Sequence, residues 1–125
     1  KPRARFVAFD VVGADPLLML TAPIPATARV LRKAGLAIDD IDHFEINEAF
    51  AVVNLHAEAQ LGIPREKTNL YGGGISIGHP PGATGIRMTI TAMQHLADTG
   101  GRHAVISMCL GSGMGMAVLI ENLRR

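Results

Sequence analysis

Two apolar runs close to the carboxyl terminus, residues 104–110 and 114–120, are separated only by Gly111-Ser112-Gly113. Apolar runs of this length around a short glycine-containing break predict two strands joined by a tight hairpin. Because so short a connection cannot cross over a sheet, the two strands must be antiparallel neighbours. Any sheet in this chain therefore has an antiparallel pair at its C-terminal end.

Strand and helix patterns alternate along the rest of the chain. Residues 6–12 and 44–46 have the apolar character of short buried strands. Between 69 and 85 the chain is so rich in glycine and proline that we expect it to be mostly loop. Apolar side chains at helical spacing predict three helices, beginning at Pro25, Phe50 and Ala83. This alternation predicts an α/β fold with a layered sheet.

The composition is that of one globular domain. Of the 125 residues, 48% are hydrophobic and 18% are charged, so the chain can bury a core. The net charge is +1 without a basic run, which argues against nucleic acid as a partner. No apolar run approaches the roughly 18 residues of a membrane span, and a single cysteine, Cys109, excludes a disulfide framework. We expect a cytoplasmic protein, and an organelle matrix fits as well.

Three polar residues are placed where open α/β sheets bind ligands, at strand ends or in the glycine-rich loop. These are Asn47, His79 and Cys109. Taken singly, each has a structural interpretation: a helix cap for the asparagine, a solvated loop position for the histidine and a core position for the cysteine. The other histidines belong to no motif, and we expect them to be solvated or hydrogen-bonded: His43, His56, His95 and His103.

Short motifs surround these three residues: Asn47-Glu48-Ala49-Phe50, residues 72–80 with Gly78-His79-Pro80, and Cys109-Leu110-Gly111-Ser112-Gly113. In order and spacing, these motifs resemble the C-terminal signatures of the thiolases. Further agreement comes from the proline-rich start of the first helix, the segment after His79 and the end of the last strand, so the resemblance covers nearly the whole chain. Several ordered motifs make a chance match improbable, whereas one alone would carry little weight.

The resemblance implies a domain, an activity and partners. It implies one thiolase C-terminal domain over residues 1–125, with a mixed five-stranded sheet, helices on both faces and an antiparallel last strand pair. The reaction would be thiolytic cleavage of 3-ketoacyl-CoA or condensation of acetyl-CoA, with coenzyme A thioesters as substrates and neither a further cofactor nor a metal. The acylated cysteine belongs to an N-terminal half that this sequence lacks, in the same chain or in a separate subunit. We expect this chain to be inactive alone and the complete protein to be a homo-oligomer.

The resemblance also assigns roles to individual residues. His79 would activate the acylated cysteine, and Cys109 would move protons at the α-carbon of acetyl-CoA. Asn47 would hold a water that stabilises the thioester enolate together with His79, and the N–H of Gly111 would serve an oxyanion hole. For Asn47 a structural role is equally open, and Glu48 is expected to favour a helix N-terminus through its charge. Substrate-binding positions would be Ala49, Phe50, Gly78 and Pro80.

The residue types suit this chemistry even without the resemblance to the family. Carbon–carbon bond formation between thioesters needs a base for a weakly acidic C–H and donors aimed at the oxygen where charge develops. A thiol and an imidazole can each move protons near neutral pH. Two positions depart from the family pattern, Tyr71 and Pro81, and they leave the local hydrogen bonds and the pocket shape open.

Two other functions are compatible with the sequence. One is a non-catalytic domain that binds acyl-CoA or a partner subunit, since a fold persists when its function is lost. The other is a decarboxylating condensing enzyme of the related ketosynthase type, against which Cys109 argues. The chain begins Lys1-Pro2-Arg3, without an initiator methionine or an apolar leader, and we expect it to be a piece of a longer polypeptide.

Overall fold

Four strands and four helices, joined by three short 3₁₀ turns, make up residues 1–124, which the computed structural model describes. The strands are β1 (Ala4–Gly13), β2 (His43–Ile46), β3 (His103–Leu110) and β4 (Met114–Asn122). The helices are α1 (Pro23–Ala34), α2 (Ala51–Leu61), α3 (Gly74–Ile77) and α4 (Pro81–Thr99). The 3₁₀ turns are Ile38–Asp40, Arg65–Lys67 and Gly111–Gly113.

The strands form one mixed sheet in the order β1-β4-β3-β2. Strands β3 and β4 are antiparallel and pair from His103 opposite Glu121 to Leu110 opposite Met114, which confirms the predicted hairpin. β1 also runs antiparallel to β4, whereas β2 and β3 are parallel. The carboxyl ends of β2 and β3 therefore lie at the same edge of the sheet.

The expected fifth strand is absent from the described residues, so the predicted strand count is wrong. The described pairing beyond the four strands is an isolated parallel bridge beside β2, between Thr68 and Phe44. The 3₁₀ turn Arg65–Lys67 ends immediately before Thr68, and Asn69 takes a positive φ of 48° immediately after it. The chain is extended for too few residues to continue the ladder.

Helices cover both faces of the sheet, as expected, because successive strand residues point to opposite sides. On one face Val105 of β3 and Leu119 of β4 pack with α1, α2 and the loops around them. On the other face Ala104 and Ile106 of β3 pack against α4. Phe44 belongs to the first of these two cores and is fully buried.

Proline and glycine define the helix ends. α1 begins at Pro23, two residues before the predicted start, and the left-handed Gly35 ends it. The prediction that 69–85 is mostly loop is wrong in part, because α3 lies within it and α4 starts at Pro81. A proline in the first turn costs no hydrogen bond, since that N–H has no partner within the helix.

The α4 face of the sheet is only partly covered. α4 lies over β3 and β2, and an open apolar groove of about 420 Å³ remains beside it towards β1 and β4. Phe6 and Ile86, which line this groove, are each 68% exposed. None of the helices in the described part of the chain is long and apolar enough to cross a membrane.

Candidate active site

The carboxyl edge of β2 and β3 brings two of the three predicted residues together. The N–H of Asn47 donates to the carbonyl of Ser107, so Asn47 continues the parallel ladder one residue past β2. His43, Glu45 and Asn47 alternate with Phe44 and Ile46, and they face α4 rather than the first core. His79 lies two residues before the first residue of α4, directly opposite this end of the strand.

Asn47 and His79 are in hydrogen-bond contact. The Nδ2 of Asn47 lies 3.3 Å from the Nε2 of His79. Asn47 is 1% exposed, and its Oδ1 is buried without a hydrogen-bond partner among the described residues. A buried amide oxygen without a donor costs about 1–3 kcal/mol. The position therefore suits a donor from water or from a bound substrate, which a purely structural helix cap would not need.

The hydroxyl of Thr84 and the amide of Asn47 determine which ring nitrogen of His79 carries the proton. Thr84 Oγ1 donates its single proton to the carbonyl of Pro80 at 2.9 Å. It also lies 2.7 Å from the Nδ1 of His79. Because the Nδ2 of Asn47 can only donate, Nε2 of the neutral ring must present its lone pair to it; Nδ1 then carries the proton, and the Thr84 hydroxyl accepts it. Thr84 is itself 1% exposed, which holds this contact in place.

The carboxylate of Glu48 holds the glycine-rich loop beside the histidine. Its Oε2 accepts from the N–H of Ile75 in the first turn of α3, and its Oε1 accepts from the Nδ2 of Asn69, both at 2.9 Å. Asn69 also bonds both backbone groups of Ile46, at 2.8 and 2.9 Å. Glu48 is thus placed at a helix N-terminus, as predicted, but that helix is α3 rather than α2.

Gly73 shows why the loop needs glycine at this point. A Cβ at Gly73 would lie 2.5–2.7 Å from the carboxyl atoms of Glu48. Contacts that short are not tolerated, so a larger residue would push the carboxylate away from the two donors that it binds. The glycine composition of the loop serves a close approach at this position.

Cys109 lies at the same end of the sheet but on its other face. It is half-buried and packs against the core that contains Val105 and Leu119. In the described part of the chain no hydrogen bond joins it to His79 or Asn47. Burial raises the pKa of the Cys109 thiol, while a backbone hydrogen bond lowers it in part. The group is therefore a protonated thiol at neutral pH.

The other predicted site residues surround this edge with little cover. Gly111 opens the 3₁₀ turn between β3 and β4 and is exposed, and Ala49 is partly buried. Phe50 precedes α2 and is 58% exposed. Gly78 and Pro80, on either side of the histidine, are exposed as well. No group of three or more potential metal ligands occurs among residues 1–124.

Sequence reasoning missed the support that Thr84 and Asn69 provide. The signal for Thr84 was its position in the first turn of α4, where a threonine hydroxyl can bond the carbonyl four residues earlier. Asn69 lies in a segment whose composition predicted only a loop, so no sequence signal indicated its role. Of the two departures from the family pattern, Tyr71 bonds Asp98 at 2.9 Å, away from His79, and Pro81 starts a helix.

Comparison with known proteins identifies the family. The family model described as "Thiolase, C-terminal domain" matches residues 1–122. The chain is 43% identical over 121 residues to the mouse cytosolic acetyl-CoA acetyltransferase, covering 97% of this chain and 30% of the mouse protein. It is 44% identical over 124 residues to the Escherichia coli 3-oxoadipyl-CoA/3-oxo-5,6-dehydrosuberyl-CoA thiolase, covering 98% and 31%.

Solved structures agree with this assignment. The crystal structure of human mitochondrial 3-ketoacyl-CoA thiolase matches with a TM-score of 0.96 and 44% identity, over 98% of this chain and 31% of the human chain. The chain therefore belongs to the thiolase family of acyltransferases. It corresponds to the C-terminal domain of these proteins and spans about 30% of the length of the relatives it matches.

Proposed function

We propose that this chain is the C-terminal catalytic part of an acyl-CoA acyltransferase that cleaves 3-ketoacyl-CoA with coenzyme A or condenses two acetyl-CoA molecules. The observation that carries the proposal is the hydrogen-bonded series Asn47–His79–Thr84 at the carboxyl edge of the sheet. Its Asn47 Oδ1 is buried and lacks a protein donor. Catalytic groups in open α/β sheets gather at such an edge.

The protonation state of His79 suits two steps of such a reaction. With the Nδ1 proton directed at Thr84, Nε2 keeps its lone pair and can accept the proton of a nucleophilic thiol in exchange for its 3.3 Å contact with the Nδ2 of Asn47. Once Nε2 has taken that proton it becomes a donor, and it can stabilise negative charge on a thioester oxygen. The Thr84 contact is unchanged in both states, so a single ring orientation serves both steps.

Asn47 would complete the stabilisation of the enolate oxygen. A water bound to its free Oδ1 would place an O–H donor beside the Nε2–H of protonated His79. Two donors directed at the oxygen where charge develops form an oxyanion hole, and removing one such donor typically costs about 100- to 1,000-fold in rate. The N–H of Gly111 would serve the second oxyanion hole, at the acyl carbonyl.

Cys109 would act as the acid and base at the α-carbon. In the cleavage direction the departing acetyl-CoA enolate needs a proton at carbon, and a thiol with a raised pKa holds that proton at neutral pH. In the condensation direction the same sulfur must first lose its proton. Its high pKa then makes the thiolate a stronger base for the weakly acidic C–H.

The remainder of a thiolase would supply the acylated cysteine. The family likeness assigns that residue to an N-terminal half, and the exposed apolar groove beside α4 is a surface that such a half would cover. We propose that the chain works with this half, in one polypeptide or as a separate subunit, and that the complete protein is a homo-oligomer in the cytoplasm or an organelle matrix. Coenzyme A and its thioesters would bind at the edge formed by Ala49, Phe50, Gly78 and Pro80.

One experiment tests whether an acylated partner exists. The gene product is purified from its native source, exposed briefly to acetyl-CoA and measured as an intact mass, and any acetyl group is mapped to its cysteine. A heavier chain or a co-purifying subunit acetylated on a cysteine other than Cys109 supports the proposal. An unacetylated chain of 13.2 kDa without a partner contradicts it and favours a non-catalytic acyl-CoA-binding domain.

Substitutions in the complete native protein test the residue roles. We expect His79→Ala and Cys109→Ala each to remove most thiolysis of acetoacetyl-CoA. His56→Ala, which changes an exposed histidine on α2, is the matched control and should retain the activity of the unsubstituted protein. Near-normal rates in both site variants would refute the catalytic roles proposed for His79 and Cys109.

A further inference from the structure

Strand β2 and helix α4 are joined on one face of the sheet by polar contacts that extend beyond the site. The outermost is the contact of Asn47 with His79. Two residues earlier along β2, the carboxylate of Glu45 contacts the guanidinium of Arg87 at 3.2 Å. At the first residue of β2, the ring of His43 stacks on that of His95, with centroids 4.1 Å apart. The mechanism proposed above uses only the first of these contacts.

Glu45 is a buried carboxylate with two partners. It is 1% exposed, and its Oε2 accepts from Nη1 of Arg87 while its Oε1 accepts from Nε2 of His43 at 2.9 Å. His43 is fully buried beside it. A buried charge must keep its partners, because losing one leaves an uncompensated charge in a poorly solvated place. The carboxylate therefore fixes the position of the Arg87 side chain relative to β2.

The two ends of this ion pair lie next to the two sides of the proposed site. Glu45 precedes Asn47 by two residues on the same face of the strand. Arg87 follows Thr84 by three residues, on the same face of α4, and Thr84 holds the imidazole of His79. A shift of α4 along β2 would change the Asn47–His79 distance of 3.3 Å, and the ion pair opposes that shift.

We propose that Glu45 and Arg87 are positioning residues for the reaction, which set the separation between the Asn47 amide and the His79 imidazole. This inference rests on the proposed function. Neither residue contacts the reacting atoms in this proposal; each acts through the element that carries a reacting group. A displacement of about 1 Å in such a pair of groups can cost about 100-fold in rate.

The test compares ion pairs at opposite ends of the sheet in the complete native protein. Arg87→Met keeps most of the side-chain stem and removes the guanidinium, and Arg87→Lys keeps a positive charge. The matched control is Arg102→Met. Arg102 precedes β3 and bonds Glu121, another buried carboxylate, at 3.0 Å, and Glu121 also keeps Arg5 as a second partner. Thermal unfolding of each variant reports the structural loss separately.

We expect Arg87→Met to lower kcat for acetoacetyl-CoA thiolysis about 10- to 100-fold while KM changes less than about threefold, since the ion pair orients catalytic groups rather than binding coenzyme A. Arg87→Lys should recover part of kcat. Arg102→Met should have a lower melting temperature than the unsubstituted protein but the same kcat. A purely structural role would instead lower the melting temperature of both methionine variants and leave kcat unchanged.

The double variant Glu45→Gln/Arg87→Met guards against misfolding, because it leaves no unpaired buried carboxylate. Its kcat should fall as far as that of Arg87→Met. A kcat within threefold of the unsubstituted protein, in folded Arg87→Met or in the double variant, would overturn the inference. Absence of thiolysis from the unsubstituted protein would instead refute the proposed function, so the two failures are distinguishable.

Discussion

Removing the hydroxyl of Thr84 is the sharpest test of how the proposed site works. Thr84→Val keeps the branched shape of a residue that is 1% exposed, and it deletes the atom that accepts from Nδ1 of His79. The carbonyl of Pro80 also loses a donor, but it still accepts from the N–H groups of Ala83 and of residue 84. The main loss is therefore the hydrogen bond at the Nδ1 of His79.

The size of the effect follows from one hydrogen bond. A hydrogen bond of this kind contributes about 0.5–1.5 kcal/mol net, and here it also favours the tautomer in which Nε2 is unprotonated. If Thr84→Val removes about 1–1.5 kcal/mol of transition-state stabilisation, the rate falls about 5- to 13-fold. The global stability should change by only about 1 kcal/mol, because valine fills the same space.

The assay is steady-state thiolysis of acetoacetyl-CoA by the complete native protein, with thermal unfolding in parallel. Thr84→Ser is the matched control, since it keeps the hydroxyl and should retain most of kcat. If Thr84→Val keeps kcat within twofold of the unsubstituted protein while His79→Ala abolishes turnover, the Thr84 hydroxyl does not set the tautomer of His79.

Three further results are expected. Gly73→Ala should lower the unfolding free energy by about 1–3 kcal/mol, measured by urea titration, because its Cβ would displace the Glu48 carboxylate; unchanged stability would contradict the close approach. Burial lowers the pKa of His95 from 6.5, and the fold favours the neutral ring, so stability should fall as the pH drops below about 6.5. Between pH 5 and 8, the urea unfolding midpoint of His95→Gln should depend less on pH than that of the unsubstituted protein, whereas His56→Gln should leave this dependence unchanged. Equal pH dependence in all three proteins would refute the prediction. The raised pKa of Cys109 predicts slow alkylation by iodoacetamide at pH 7 that accelerates above pH 9, so rapid modification at pH 7 in peptide mass spectra would argue against it.

Much of the architecture was predictable because it depends on local signals. The three-residue break at Gly111–Gly113 allows only an antiparallel pair, and β3 and β4 form that pair. Proline starts and left-handed glycine ends bound the helices, as at Pro23 and Gly35. The expected fifth strand is absent from the described residues: the sheet has four strands, and beside β2 only an isolated bridge at Thr68 forms.

The sequence pointed to residues that the structure brings together, but not to the residues that support them. Asn47 was singled out by motif and by its position at a strand end, and His79 by motif and by its position in the glycine-rich loop; the structure places them 3.3 Å apart. The assignment of Cys109 remains a prediction, since the thiol lies on the opposite face without a bond to either. The other histidines were expected to be solvated or hydrogen-bonded; His43 is hydrogen-bonded to Glu45, and it is also buried and stacked on His95.

By itself the sequence determined the alternation of elements, the antiparallel hairpin and the short motifs that place the chain among the thiolases. Those features depend on neighbouring residues, whose spacing can be read directly along the chain. Only the tertiary structure decided that Thr84 contacts the Nδ1 of His79 and that Arg87 pairs with Glu45. The Arg87–Glu45 contact joins residues 42 positions apart, and both contacts depend on how α4 packs against the end of β2, which no local pattern encodes.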